Sequence, residues 1–100
     1  MLTSAGNINQ EYEVIGLVQA TVTRAEDEGC SGSKGLPIDQ AYNEAFNNLV
    51  ENAKGSGADG LIHINFDHRV SSSQVGCGQN TKQNIEIYSW GTAIMLKDNG

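Results

Sequence analysis

The hydrophobic pattern of the chain changes period twice. Over residues 12–23 it alternates: Tyr12, Val14, Gly16, Val18, Ala20 and Val22 share one face, while Glu13, Ile15, Leu17, Gln19, Thr21 and Thr23 share the other. That period predicts one long strand. Ile15 and Leu17 put apolar side chains on the second face as well, so part of this strand is expected to be covered on both sides, which one helix cannot do. From Ile38 the period lengthens to three and four residues. Ile38, Ala41, Tyr42, Ala45, Phe46, Leu49, Val50 and Ala53 form an apolar face, with Asn43, Glu44, Asn47, Asn48, Glu51 and Asn52 between them, which predicts an amphipathic helix. Pro37 suits a first helical turn and Asp39 favours its positive end, so the helix begins between them. Gly55 or Gly57 can adopt the left-handed conformation that closes it, and Asp59-Gly60 leads into the next strand.

Alternation returns over residues 61–70, with Ile62, Ile64, Phe66, His68 and Val70 on one face and Leu61, His63, Asn65, Asp67 and Arg69 on the other. A third strand follows over residues 85–96, where Ser89-Trp90-Gly91-Thr92 reads as a bulge around a glycine. Residues 24–35 and 71–83 are polar and glycine-containing and read as loops. Residues 1–10 read as a flexible lead-in and 97–100 as a fraying tail. A right-handed crossover makes the first two strands parallel, and the third fits between them, antiparallel to both. The expected fold is α+β: a two-layer β-α-β-β subunit with a three-stranded mixed sheet, order 1-3-2, packed on one helix. Both loops then leave the same end of the sheet.

One hundred residues make one domain, 1–100, whose core is thin for its length, so association with copies of itself would help. The net charge of −6, with six scattered basic residues, argues against a nucleic-acid partner, since nonspecific affinity for phosphate backbones comes from Lys and Arg. No segment approaches the ~20 apolar residues that span a bilayer, and no basic stretch followed by an apolar run opens the chain. The expectation is a cytoplasmic protein with no membrane partner.

Four segments together resemble the YbjQ-like family, whose small subunits carry a dodecin-like strand, helix, two-strand fold. They are Val14-Ile15-Gly16-Leu17-Val18, the helix over 41–53, Ala53-Lys54-Gly55-Ser56-Gly57-Ala58-Asp59-Gly60-Leu61-Ile62, and Gly91-Thr92-Ala93-Ile94-Met95-Leu96. The resemblance covers most of the chain and implies a homo-oligomer, commonly a pentameric ring, with a heavy-metal-binding label and no defined reaction. Both loops depart from the family's pattern, so no loop residue inherits a role from it.

The sharpest candidates for chemistry are Cys30 and Cys77, each in a glycine-flanked loop at the same end of the expected sheet. Two thiolates, joined by His68 or by Glu26, Asp27 and Glu28, could hold a soft or divalent metal ion such as zinc. Their 46 intervening residues make no CxxC pair, and unpaired thiols or a disulfide are the alternatives. His63 and His68 are separated by an odd number of positions, which sends them to opposite faces of a regular strand. Tyr88 and Trp90 share a face and raise a flat, flavin-like ligand as a further alternative, although strand aromatics usually serve packing. Gly29-x-x-Gly32-x-x-Gly35 lacks the spacing of a phosphate loop. No nucleophile, base and orienter occur together, so the reading is a non-enzymatic homo-oligomeric binding module, with a scaffolding ring as its rival.

Overall fold

The computed structural model describes residues 1–25, 28–29, 32–33, 38–74 and 81–97. Its helix, α1 (Ile38–Gly55), starts where Pro37 and Asp39 predict and buries Ala41, Ala45, Leu49 and Ala53, a ladder of every fourth residue. Three of those four are alanines, so the helix axis lies close to the sheet. Gly57, at φ +87°, ends it. The Ala58 N–H donates to the Ala53 carbonyl and the Gly57 N–H to the Lys54 carbonyl, the paired bonds that close a helix around a left-handed residue.

The long strands are β2 (Tyr12–Ala25), β5 (Gly60–Gln74) and β6 (Thr81–Leu96). β6 pairs antiparallel with both others, which makes β2 and β5 parallel, as the crossover requires. The sheet has four strands rather than three. Leu2–Thr3, inside the expected flexible lead-in, forms β1 and pairs parallel with Gly60 and Leu61, giving the order β1-β5-β6-β2. The lead-in then follows the same edge, with the His63 and Ile64 N–H groups donating to the Gly6 and Ser4 carbonyls. Met1, Leu2, Ala5 and Ile8 keep no period of two, so the hydrophobic pattern did not reveal a strand held by backbone bonds. A separate two-residue pair, β3 (Glu28–Gly29) with β4 (Gly32–Ser33), lies between β2 and the helix in sequence.

The bulges fall on β6's partners, not on β6. The register shifts between Val14 and Gly16 in β2, and between Ile62 and Asn65 in β5. In β5 two residues, His63 and Ile64, oppose Gly91, and His63 takes φ 54°, a left-handed conformation uncommon for a side-chain-bearing residue. A Cβ on Gly91 would stand 3.1 Å from Leu61 Cδ1 and 3.2 Å from the Ile62 carbonyl oxygen. The glycine thus belongs to a bulge, but as the space that admits the partner's extra residue. The bulge also corrects the expected faces of β5. Leu61 packs with Leu49, Ala53 and Ala93 under the helix, Ile64 and Phe66 pack on that same side, and Ile62 is buried on the opposite one. The extra residue reverses the alternation, which period-two reasoning carried through unbroken.

Ser89, at 1% exposure, is the buried polar residue among the described ones; its Oγ donates to the Ala20 carbonyl, 3.1 Å, and lies 3.4 Å from that of Ala45. The radius of gyration is 17.7 Å, against about 13 Å for a compact chain of this length. The excess comes from strands that outrun an 18-residue helix. Among the described residues, no helix is long and apolar enough to cross a membrane.

Candidate functional site

Side chains that could carry chemistry gather toward the end of the sheet where β2 and β5 finish. On the helix side, alternation after the bulge aims Phe66 and His68 at the first turns of α1. Tyr42 meets both. Its ring stands edge-on to Phe66, centroids 5.6 Å apart, and its hydroxyl oxygen lies 3.0 Å from His68 Nδ1. That contact occupies Nδ1; in the tautomer whose Nδ1–H donates to the tyrosine oxygen, the Nε2 lone pair is the one a metal ion would take. Across the helix, Arg24 at the end of β2 is ion-paired with Glu44.

On the other side of the sheet, Arg69 donates to Glu86 Oε1 at 2.8 Å, and the Tyr88 hydroxyl donates to Glu86 Oε2. The Tyr88 hydrogen bond, then that of Arg69, holds the Glu86 carboxyl below its ordinary value. The same bond to Glu86 raises Tyr88, with burial adding to it. These charges satisfy one another, so the cluster acts as a strut between β5 and β6.

A third feature is a groove of about 360 Å³ between the helix and the N-terminal edge. Ile64 and Phe66 floor it, Phe46 forms one wall, and the lead-in from Thr3 to Ala5 forms the other. It exists because a helix about 10 Å wide, packed mainly on β2 and β6, only partly covers β5 and β1, one and two steps of about 4.8 Å beyond β6.

Cys30 and Cys77 lie outside the described residues, as do Glu26 and Asp27, and nothing is described of the Glu28 side chain. Their segments are anchored as the topology requires: β2 ends at Ala25, which pairs with Asn84, and β5 continues beside β6 to Gln74 and Thr81. Both connections therefore leave one end of the sheet, the β5–β6 ribbon reaching about 10 Å farther than β2. His68 sits six residues before Gln74, about 20 Å back along the strand. His63 is about 16 Å from His68 along β5, so the structure does not bring the two histidines together. Among the described residues, no group of three His, Cys, Asp or Glu side chains is placed to hold a metal ion. By donor chemistry, the described residues supply one candidate ligand, His68, and not a complete set.

Trp90 and Tyr88 share the face away from the helix, as alternation predicts, but Tyr88 is engaged by Glu86. The Tyr42–His68 contact was not anticipated. Its two residues lie 26 positions apart; alternation already placed His68 on the face of Ile64 and Phe66, and only its pairing with Tyr42 went unread.

The YbjQ family model, described as "Putative heavy-metal-binding", matches residues 31–97. A UPF0145 protein of Helicobacter hepaticus is 31% identical, over 95% of this chain and 96% of its own length. One of Lactobacillus gasseri is 29% identical over 98% and 95%. Among solved structures, a protein of unknown function from Pediococcus pentosaceus, of the DUF74 family, superposes with a TM-score of 0.73 over 97% of this chain and 98% of that one, at 20% identity, a likeness of fold.

Proposed function

Because the chain belongs to the YbjQ-like family, whose model carries a heavy-metal-binding description, we propose that it is a non-enzymatic, homo-oligomeric module that binds a soft or borderline metal ion at the loop-bearing end of its sheet. Cys30 and Cys77 are the proposed thiolate ligands, with His68 as the nitrogen donor. The observation that carries this reading is that the two cysteine-bearing segments leave the same end of the sheet, at Ala25 and at Gln74 three cross-strand rows farther out. Thiolate is the donor that soft and borderline ions prefer, and closed zinc sites take four ligands drawn from Cys and His.

Cys30, Cys77 and His68 make three ligands, one short of a closed site, and the strand geometry divides them. Cys77 is three residues beyond Gln74, whereas His68 is six residues before it. His68 is better matched to Cys30, whose segment returns to the helix that carries Tyr42. Completing the set from neighbouring copies gives the oligomer a role in the site. A homo-oligomer, with the five-fold ring the resemblance implies, also accounts for a chain whose extents of 65 × 18 × 15 Å leave much of its sheet without an internal partner.

Titration of reduced, purified protein with zinc, copper and cadmium tests the metal reading. Stoichiometric binding is expected in the wild type and is expected to be lost in both Cys30→Ser and Cys77→Ser. A wild type that binds none of the three ions would sink it.

A further inference from the structure

The face of the sheet away from the helix carries apolar residues that stand exposed among the described residues. Leu17 is 70% exposed and Val14 59%, and Ile15, in the bulge between them, is 41% exposed. Pairing places them in one zone: Val14 opposes Ile94, and Leu17 opposes Thr92, which in turn opposes Ile62. Ile62 and Ile94 are themselves buried on that face, so the exposed residues stand on a firm apolar base. The charged outer residues Asp67, Arg69 and Glu86 are farther along the strands, toward the loop end.

On the opposite side of the molecule and across the sheet from β2 is the groove of Ile64, Phe66 and Phe46, walled by Thr3, Ser4 and Ala5. None of its lining residues is charged, and its 360 Å³ has room for more than one branched aliphatic side chain. Both surfaces lie near the Gly60 end of β5, a few residues from the same cross-strand rows.

We propose that the occupant of this groove is the β2 bulge of a second copy, with Leu17 and Val14 of one chain seated against Ile64, Phe66 and Phe46 of the next. The proposal rests on the oligomeric reading above and names its contact. A second copy is favoured over another partner because the two surfaces complement each other within one sequence, protrusion to depression. Charge points the same way: chains of net charge −6 repel, and these are surfaces on which two copies can meet without opposing carboxylates. The contact is head-to-tail, so each chain offers one surface and fills the other, and such contacts propagate into a ring when the rotation closes. Packing the exposed face against its own copy across a two-fold axis would cover Leu17 but leave the groove open.

Thiol cross-linking distinguishes these arrangements. In a Cys30→Ser/Cys77→Ser background, Leu17→Cys combined with Ala5→Cys, treated with a short bis-maleimide, is expected to give a ladder of covalent multimers on a denaturing gel. Neither substitution alone should produce it. Leu17→Asp should lower the solution mass from that of the assembly to the 10.7 kDa of one chain, with the circular dichroism spectrum unchanged, because Leu17 makes little contact in its own subunit. Dimers from Leu17→Cys alone would overturn the proposal in favour of the two-fold arrangement. An assembled wild type whose Leu17→Asp variant keeps its mass, and whose double-cysteine variant gives no ladder, would overturn this contact and spare the oligomeric reading. A monomeric wild type would overturn both.

Discussion

Leu49→Ala is expected to lower the free energy of unfolding by about 3–4 kcal/mol, near the middle of the range for emptying a fully buried leucine position. Leu49 is the one large side chain among the four buried residues of α1, and it packs with Ala53, Leu61 and Ala93. The alanines already hold the helix close to the sheet, so little material is available to collapse into the space. Against a total of roughly 5–15 kcal/mol for a domain, such a loss is a large fraction. Urea unfolding at fixed protein concentration checks it, since assembly would make the midpoint depend on concentration. An unchanged midpoint would mean that the helix does not rest on Leu49.

Gly91→Val is expected to cost about 3 kcal/mol, at the upper end for overpacking. Its Cβ alone would approach Leu61 Cδ1 to 3.1 Å, the Ile62 carbonyl oxygen to 3.2 Å and Ile64 Cγ1 to 3.4 Å. The carbonyl belongs to the bulged backbone and cannot swing aside as a side-chain end can. Valine's preference for strands, worth up to about 1 kcal/mol, offsets only part of this. The same urea series would show it, and a variant as stable as the wild type would mean that the β5 bulge is readily reshaped.

Gly91 also marks where sequence reasoning stops. A glycine inside a strand pattern signals an irregularity, but not which of two paired strands holds the extra residue. Placing the bulge on β6 kept β5 regular, which put Ile62 rather than Leu61 on the face of Ile64, Phe66 and His68. The helix from Ile38, its closure at Gly55 or Gly57 and the order of the three long strands were legible because each rests on a period or a backbone preference. β1 was not, because its bonds are made by backbone groups that every residue shares. Leu17 was legible in a different way: an apolar residue on the face the helix cannot reach was expected to be covered, and within one chain it is exposed. Of the candidate site, sequence pointed to the thiols and His68 by residue type, and topology to the common end of the sheet. The aromatic partner of His68 needed three-dimensional coordinates.

Assembly is common to both proposals, since the proposed metal site is completed between copies and Leu17 is proposed to be covered by one. Light scattering coupled to size-exclusion chromatography on the reduced wild-type protein at micromolar concentration is the direct measurement. A mass several-fold above 10.7 kDa is predicted, five-fold if the ring is the one the family resemblance implies. A single species at the mass of one chain would contradict the account.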